Sequence, residues 1–144
     1  DAILSLELSS AQPAPGRGFT LDVQLEPGGR GISGAQFRLR FPESGVGVQD
    51  IVLGDLLGPA PLEMKRTGEG PGDLMYAAAR RGKTPPVTPG GQLATVRLRV
   101  AEETPPGSSL RLWLEGVLIA DHGVRRVNDL FVGKALELAV AAAP

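Results

Sequence analysis

Apolar and polar residues alternate along most of this chain. Leu4, Leu6 and Leu8 are separated by Ser5 and Glu7, and Phe19, Leu21, Val23 and Leu25 by Thr20, Asp22 and Gln24. Phe37, Leu39 and Phe41 are separated in the same way by Arg38 and Arg40. Side chains of a β-strand point to its two faces in turn, so a period of two predicts strands with one face in a core and the other in water. On this criterion strands are expected at 2–8, 19–26, 34–41, 46–53, 62–66, 73–80, 94–100, 110–120 and 136–140. Pro13 to Gly16, Pro27 to Gly29, Gly58-Pro59, Gly68 to Gly72 and Pro105 to Gly107 fall between these runs and read as turns. Gly116 interrupts the eighth run and marks a bulge or flap. The segment 81–91 carries three prolines and is expected as a long loop with room for a helical turn, and 121–133 as a second long loop. No segment keeps a helical period over three turns, which argues against alternating strands and helices. The pattern therefore predicts an all-β chain, a nine-stranded two-sheet β-sandwich.

The strand at 34–41 is the most informative. Its inner face would carry two of the four phenylalanines, and its outer face Gln36, Arg38 and Arg40. Pro42 stops it, because proline donates no ladder hydrogen bond. The acidic outer face of the second strand, with Asp22 and Glu26, would suit the basic one of the seventh, with Arg97 and Arg99.

Composition adds limits. A length of 144 residues suits one domain, and 42% hydrophobic residues are enough to bury a core without disulfides. Fifteen basic against sixteen acidic residues leave a net charge of −1, which offers no electrostatic footprint for nucleic acid or an anionic membrane. No apolar run reaches transmembrane length. The stretch 141–144 reads as the start of a linker, so 1–144 is expected to be a single module of a larger secreted protein, extracellular or at the cell surface.

Candidate chemistry is sparse. Without cysteine there is no thiol nucleophile or thiolate metal site, and one histidine, His122, leaves a tetrahedral zinc site short of ligands. Asp121, Asn128 and Asp129 share a loop without the spacing of a calcium hand. No serine sits in a nucleophile elbow, and no two carboxylates face each other across a cleft. No enzyme, metal or cofactor is expected.

Several stretches together resemble the cohesin family, the modules that bind dockerins in cellulosomes and related assemblies. They are Phe19 to Leu25, Gly31 to Phe41, Val48 to Leu57 with Gly54-Asp55-Leu56-Leu57, Tyr76 to Ala79, Gly91 to Val100, and Ala120-Asp121 with Gly123. The resemblance implies jelly-roll topology, with the eighth, third, sixth and fifth strands (109–120, 34–41, 73–80 and 62–66) in one sheet whose outer face binds the dockerin. On that face it implies Gln36, Arg38 and Arg40, then Glu63 and Lys65, a low ledge of Met75, Ala77 and Ala79 if the sixth strand turns Leu74, Tyr76 and Ala78 inward, and finally Arg111, Trp113 and Glu115. Trp and Arg often carry most of the energy of a protein interface. The familiar members place Asn and Asp at the start of the third strand. Gly34 and Gln36 stand there in this chain, which implies a divergent partner. Calcium is expected on the dockerin and not on this chain, and polysaccharide only through the parent protein. A carbohydrate-binding module of related fold and a structural spacer of a surface protein are the alternatives. The first needs several coplanar aromatics, and the chain has one Trp and one Tyr.

Overall fold

A computed structural model describes residues 2–8, 12–28, 31–42, 44–54, 57, 62–67, 72–79, 91–121, 126–127 and 130–142. Its strands are β1 (Ala2–Leu8), β2 (Gly18–Glu26), β3 (Ile32–Arg40), β4 (Val46–Leu53), β5 (Leu62–Thr67), β6 (Asp73–Ala79), β7 (Gly91–Val100), β8 (Ser109–Asp121), β9 (Leu130–Val132) and β10 (Leu136–Ala139). They form two five-stranded sheets, β4-β7-β2-β1-β9 (sheet one) and β10-β8-β3-β6-β5 (sheet two). The expected all-β sandwich is present, with β8, β3, β6 and β5 adjacent in that order.

The strand count is ten among the described residues, against nine expected. The additional strand, β9, lies in the expected loop at 121–133 and pairs parallel with β1, Ile3 opposite Phe131. Three residues are too few to show an alternation, so this strand exists through its neighbour and not through its own pattern. The expected helical turn at 81–91 and the turns around Gly68 and His122 lie outside the described residues.

The alternating faces become the core. Leu4, Leu21, Val23, Leu25, Val96 and Leu98 of sheet one are fully buried against Phe37, Leu39, Tyr76 and Leu112 of sheet two. Each contributes about 1.5–3 kcal/mol on leaving water. Phe37 and Tyr76 stand opposite each other on β3 and β6. Their ring centroids are 5.6 Å apart at an interplanar angle of 43°, a tilted pair worth about 0.5–1.5 kcal/mol beyond its buried area. The Tyr76 hydroxyl emerges at the sheet edge and donates to Glu63 Oε1 at 2.8 Å.

On the outside of sheet one, β2 and β7 are neighbours as expected, but the ion pairs foreseen between them are replaced. Asp22 stands opposite Thr95, while Arg97 stands opposite Thr20 and Asp50. The Asp22 carboxylate accepts hydrogen bonds from Gln92 Nε2 at 2.9 Å and Thr95 Oγ1 at 3.0 Å. A register shift between Val23 and Gln24 brings Gln92 into reach, and alternation alone does not foresee such a shift.

Gly54 ends β4 where two backbones meet. Its N–H donates to Leu93 O at 2.9 Å, and an added Cβ would lie 2.1 Å from Gln92 O. Only glycine permits this approach. Leu57, three residues on, is buried at 1% exposure.

Two outcomes follow from this packing. Gly54→Ala should lower unfolding free energy by about 1–3 kcal/mol, from the steric strain of an overfilled site, as read by chemical denaturation. Burial, the hydrogen bond to Glu63 and the Glu63 charge, in that order, push the Tyr76 hydroxyl well above its ordinary value. Native protein therefore keeps the proton that the unfolded chain loses near pH ~10, and stability should fall as pH rises beyond that point. Tyr76 is the only tyrosine, so tyrosinate absorbance should appear together with unfolding, and the Tyr76→Phe variant should lose this alkaline decline.

Candidate functional site

The outer face of sheet two is set residue by residue by what its strands bury. On β3, Phe37 and Leu39 are fully buried, which sends Gln36, Arg38 and Arg40 outward, each partly exposed. On β6, Leu74, Tyr76 and Ala78 are buried, and Met75, Ala77 and Ala79 form the expected outer ledge. On β8, Leu110 and Leu112 are buried and Leu114 packs against the core, while Arg111 and Glu115 are exposed and Trp113 is half-buried. The register joins these rows: Arg40 lies between Trp113 and Asp73, Arg38 between Glu115 and Met75, and Gln36 between Leu118 and Ala77.

β8 changes parity midway. Arg38 is opposite Glu115, but Gln36 is opposite Leu118, so Gly116 and Val117 together face the single residue Phe37. Gly116 has φ +60°, the left-handed conformation that favours glycine, and the expected bulge is therefore present. The Arg38 stem lies over it, with Cδ 3.7 Å from where a Cβ would stand. Beyond the bulge the odd-numbered Ile119 turns inward to 1% exposure, and Leu118 faces out at 39%. A strict alternation carried through from Arg111 would have put Leu118 in the core.

β5 corrects a second expectation. Met64 is opposite Ala77 and is 55% exposed on the outer face. Lys65 is opposite Tyr76 and so occupies a register position of the inward set, not of the proposed surface. Glu63 has the same parity as Lys65, and its carboxylate receives the Tyr76 hydroxyl. The alternation is reversed from the expected one because Met64, apolar and so expected inward, is exposed on the outer face.

The face has three zones. At one end Gly34, Gln36, Ala77, Ala79, Leu118 and Ala120 line a shallow hollow of about 520 Å³, with Arg126 among its lining residues. In the middle lie four charges in two diagonal pairs. Arg38 Nη1 donates to Asp73 Oδ2 at 3.2 Å, and Arg40 Nη1 to Glu115 Oε1 at 3.1 Å. Asp73 is buried at 4% exposure, with its Oδ1 unpartnered, as is the buried Nε of Arg40 directly opposite it in the register. At the far end the Arg111 guanidinium sits 6.0 Å from the centroid of Trp113, within the range of a cation–π contact. Trp113 and Arg111 line a second hollow, of about 450 Å³, with Leu114, Gly133 and Ala135.

Sequence reasoning missed Leu118, Met64 and Asp73. Gly116 was the available signal for the first, because a bulge there reverses every later side chain on the strand. Asp73 stands at the start of a strand with no indication in the sequence that it is buried. Among the described residues no cluster of three or more His, Cys, Asp or Glu is arranged to hold a metal ion.

A model of the cohesin domain matches residues 4–137. Solved structures agree in fold. The third cohesin of ScaC from Acetivibrio cellulolyticus, determined in complex with the ScaB dockerin, superposes with a TM-score of 0.85 at 15% identity, covering 99% of this chain and 100% of that one. A non-cellulosomal cohesin from the archaeon Archaeoglobus fulgidus gives 0.73 at 20% identity, over 95% and 90% of the two chains. A type II cohesin domain from the Acetivibrio cellulolyticus cellulosome gives 0.78 at 14% identity, over 95% and 94%. No curated protein sequence matches the chain.

The two arginines differ in what they hold. Arg38→Ala strands the buried Asp73 carboxylate and should cost about 1–3 kcal/mol of stability, the cost of leaving a buried acceptor unmet. Arg40→Ala breaks an exposed pair and should cost about 0–1 kcal/mol. Denaturation midpoints of the two variants, compared at low and high salt, check the difference.

Proposed function

The chain belongs to the cohesin domain family, and we propose that it is a non-catalytic interaction module binding a calcium-loaded dockerin-type domain through the outer face of sheet two. One observation carries the reading: Met64, Leu118 and the Ala77–Ala79 ledge lie on one face with the half-buried Trp113. Among the described residues, two of the five exposed large apolar ones belong to this face, and an apolar patch rimmed by charge marks a docking surface. Two cohesins of similar fold were determined as complexes with dockerins.

Binding would bury this face, with Gln36, Met75, Ala77 and Ala79 at its centre. Trp113 serves as an aromatic anchor at one end, and Arg38, Arg40 and Glu115 form the charged band between. The calcium belongs to the partner, whose loops it folds. The module would act outside the cell, as part of a larger surface or secreted protein. A sugar platform is disfavoured because Tyr76 is fully buried, which leaves Trp113 without a coplanar aromatic from tyrosine or tryptophan.

The test is capture of dockerin-containing proteins on the immobilised chain with calcium, followed by a chelator. Release on chelation is expected, and capture that survives chelation would count against the proposal. Trp113 is the only tryptophan, so its emission should shift on binding. Trp113→Ala should weaken binding by about 2 kcal/mol, and an unchanged affinity would remove Trp113 from the site.

A further inference from the structure

We propose that recognition on this face is carried by an aliphatic side chain of the partner, seated in the hollow between Gly34, Ala77, Ala79 and Leu118, and not by charge. The inference rests on the reading of sheet two as the dockerin-binding face, and it names the chemistry that the partner must present there.

Shape is the first argument. The floor of the hollow is built from residues with no side chain beyond Cβ, namely Gly34, Ala77, Ala79 and Ala120. Gly34 lies so close to β6 that a Cβ there would come within 3.2 Å of Ala78 O, so the depth at this point depends on glycine. One wall is Leu118, turned outward by the Gly116 bulge. Met64 of β5, opposite Ala77, lines an adjoining hollow that shares Ala77 and Ala79. Methionine is unbranched and adapts to the shape set against it. A concave apolar site with a deformable edge accepts a convex apolar group and excludes water from it.

Electrostatics is the second argument. Among the described residues, those lining the hollow include no carboxylate, and their one charged group is Arg126, which is exposed. A lysine or arginine inserted here would lose its hydration and gain no counter-charge. Along the adjoining band each charge is paired inside the chain, Arg38 with Asp73 and Arg40 with Glu115, and the two atoms left unpartnered, Asp73 Oδ1 and Arg40 Nε, are buried. A partner charge would have to displace one of these contacts to be recognised. The band is therefore close to neutral as a unit, two positive against two negative, and gives little long-range steering.

This predicts both the partner residue and the salt response. Dockerin-type modules with randomised surface positions, displayed and loaded with calcium, are selected on the intact chain. Recovered modules should share Leu, Ile, Val or Met at one exposed position. They should bind the Ala79→Leu variant, in which the added side chain fills the hollow, about ten- to a hundredfold more weakly. Leu118→Ser, which removes a wall without filling the floor, should weaken binding in the same direction, and thermal unfolding of both variants confirms that they are folded. Affinity of the recovered modules should change less than about threefold between about 0.05 and 0.5 M salt. Recovered modules that share a charged residue, or that bind Ala79→Leu unchanged, would overturn the aliphatic assignment while leaving the dockerin reading intact. A selection that recovers no module at all would overturn both.

Discussion

Burial of apolar side chains between the two sheets is the constraint on which the rest of this molecule depends. Once Phe37, Leu39, Tyr76 and Leu112 are fully enclosed, the pleat leaves no freedom for their neighbours. Gln36, Arg38, Arg40, Ala77 and Trp113 must stand on the opposite face, and a one-residue slip would exchange the two sets. The outer surface is in this sense a by-product of the core. Its composition is free to vary, but the positions that compose it are not. That is how a chain 12–20% identical to solved cohesins keeps the same sandwich while presenting its own surface.

The one place where the constraint is relaxed is also where the surface is most distinctive. At Gly116 the β8 strand takes up an extra residue in a left-handed conformation, and the parity of everything beyond it reverses. Ile119 fills the core position opposite Ala35, and Leu118 becomes the wall of an external hollow. A single local backbone irregularity thereby moves a leucine from one side of the sheet to the other. Next to it, the pairing of Arg38 with Asp73 and of Arg40 with Glu115 holds a charged band in place, two positive groups against two negative.

Much of this was legible in the alternation. The strands β1 to β8 and β10, the inward set on β3, the outward side of Trp113 and the bulge at Gly116 all follow from residue pattern, because each is a local property of a half-buried strand; on β6, apolar on both faces, the structure decides that Leu74, Tyr76 and Ala78 are inward. The misplaced residues share a cause. An apolar residue is expected in the core, but Met64 on β5 is external and Lys65 takes the inward register. The β9 strand was missed because three residues that pair only with β1 carry no period of their own. The ion pairs foreseen between β2 and β7 gave way to a Gln92–Thr95–Asp22 cluster because the register sets Asp22 opposite Thr95 and Arg97 opposite Thr20, and a shift beyond Val23 turns Gln92 to the same face.

By itself, then, the sequence determined the fold class and the division of most strands into a buried and an exposed face, since alternation and burial are coupled through the geometry of a single strand. Only the tertiary structure decided which exposed residues meet. The opposition of Arg40 to Trp113, the burial of Asp73 beneath the arginines and the hollow between Leu118 and the alanines of β6 all depend on register between strands far apart in the chain. Register is a property of pairs, and it is set by bulges and by the core as a whole. The strand from Ile32 to Arg40 shows both halves of this: its inner face could be read from its own residues, and its outer face acquired meaning only from β6 on one side and β8 on the other.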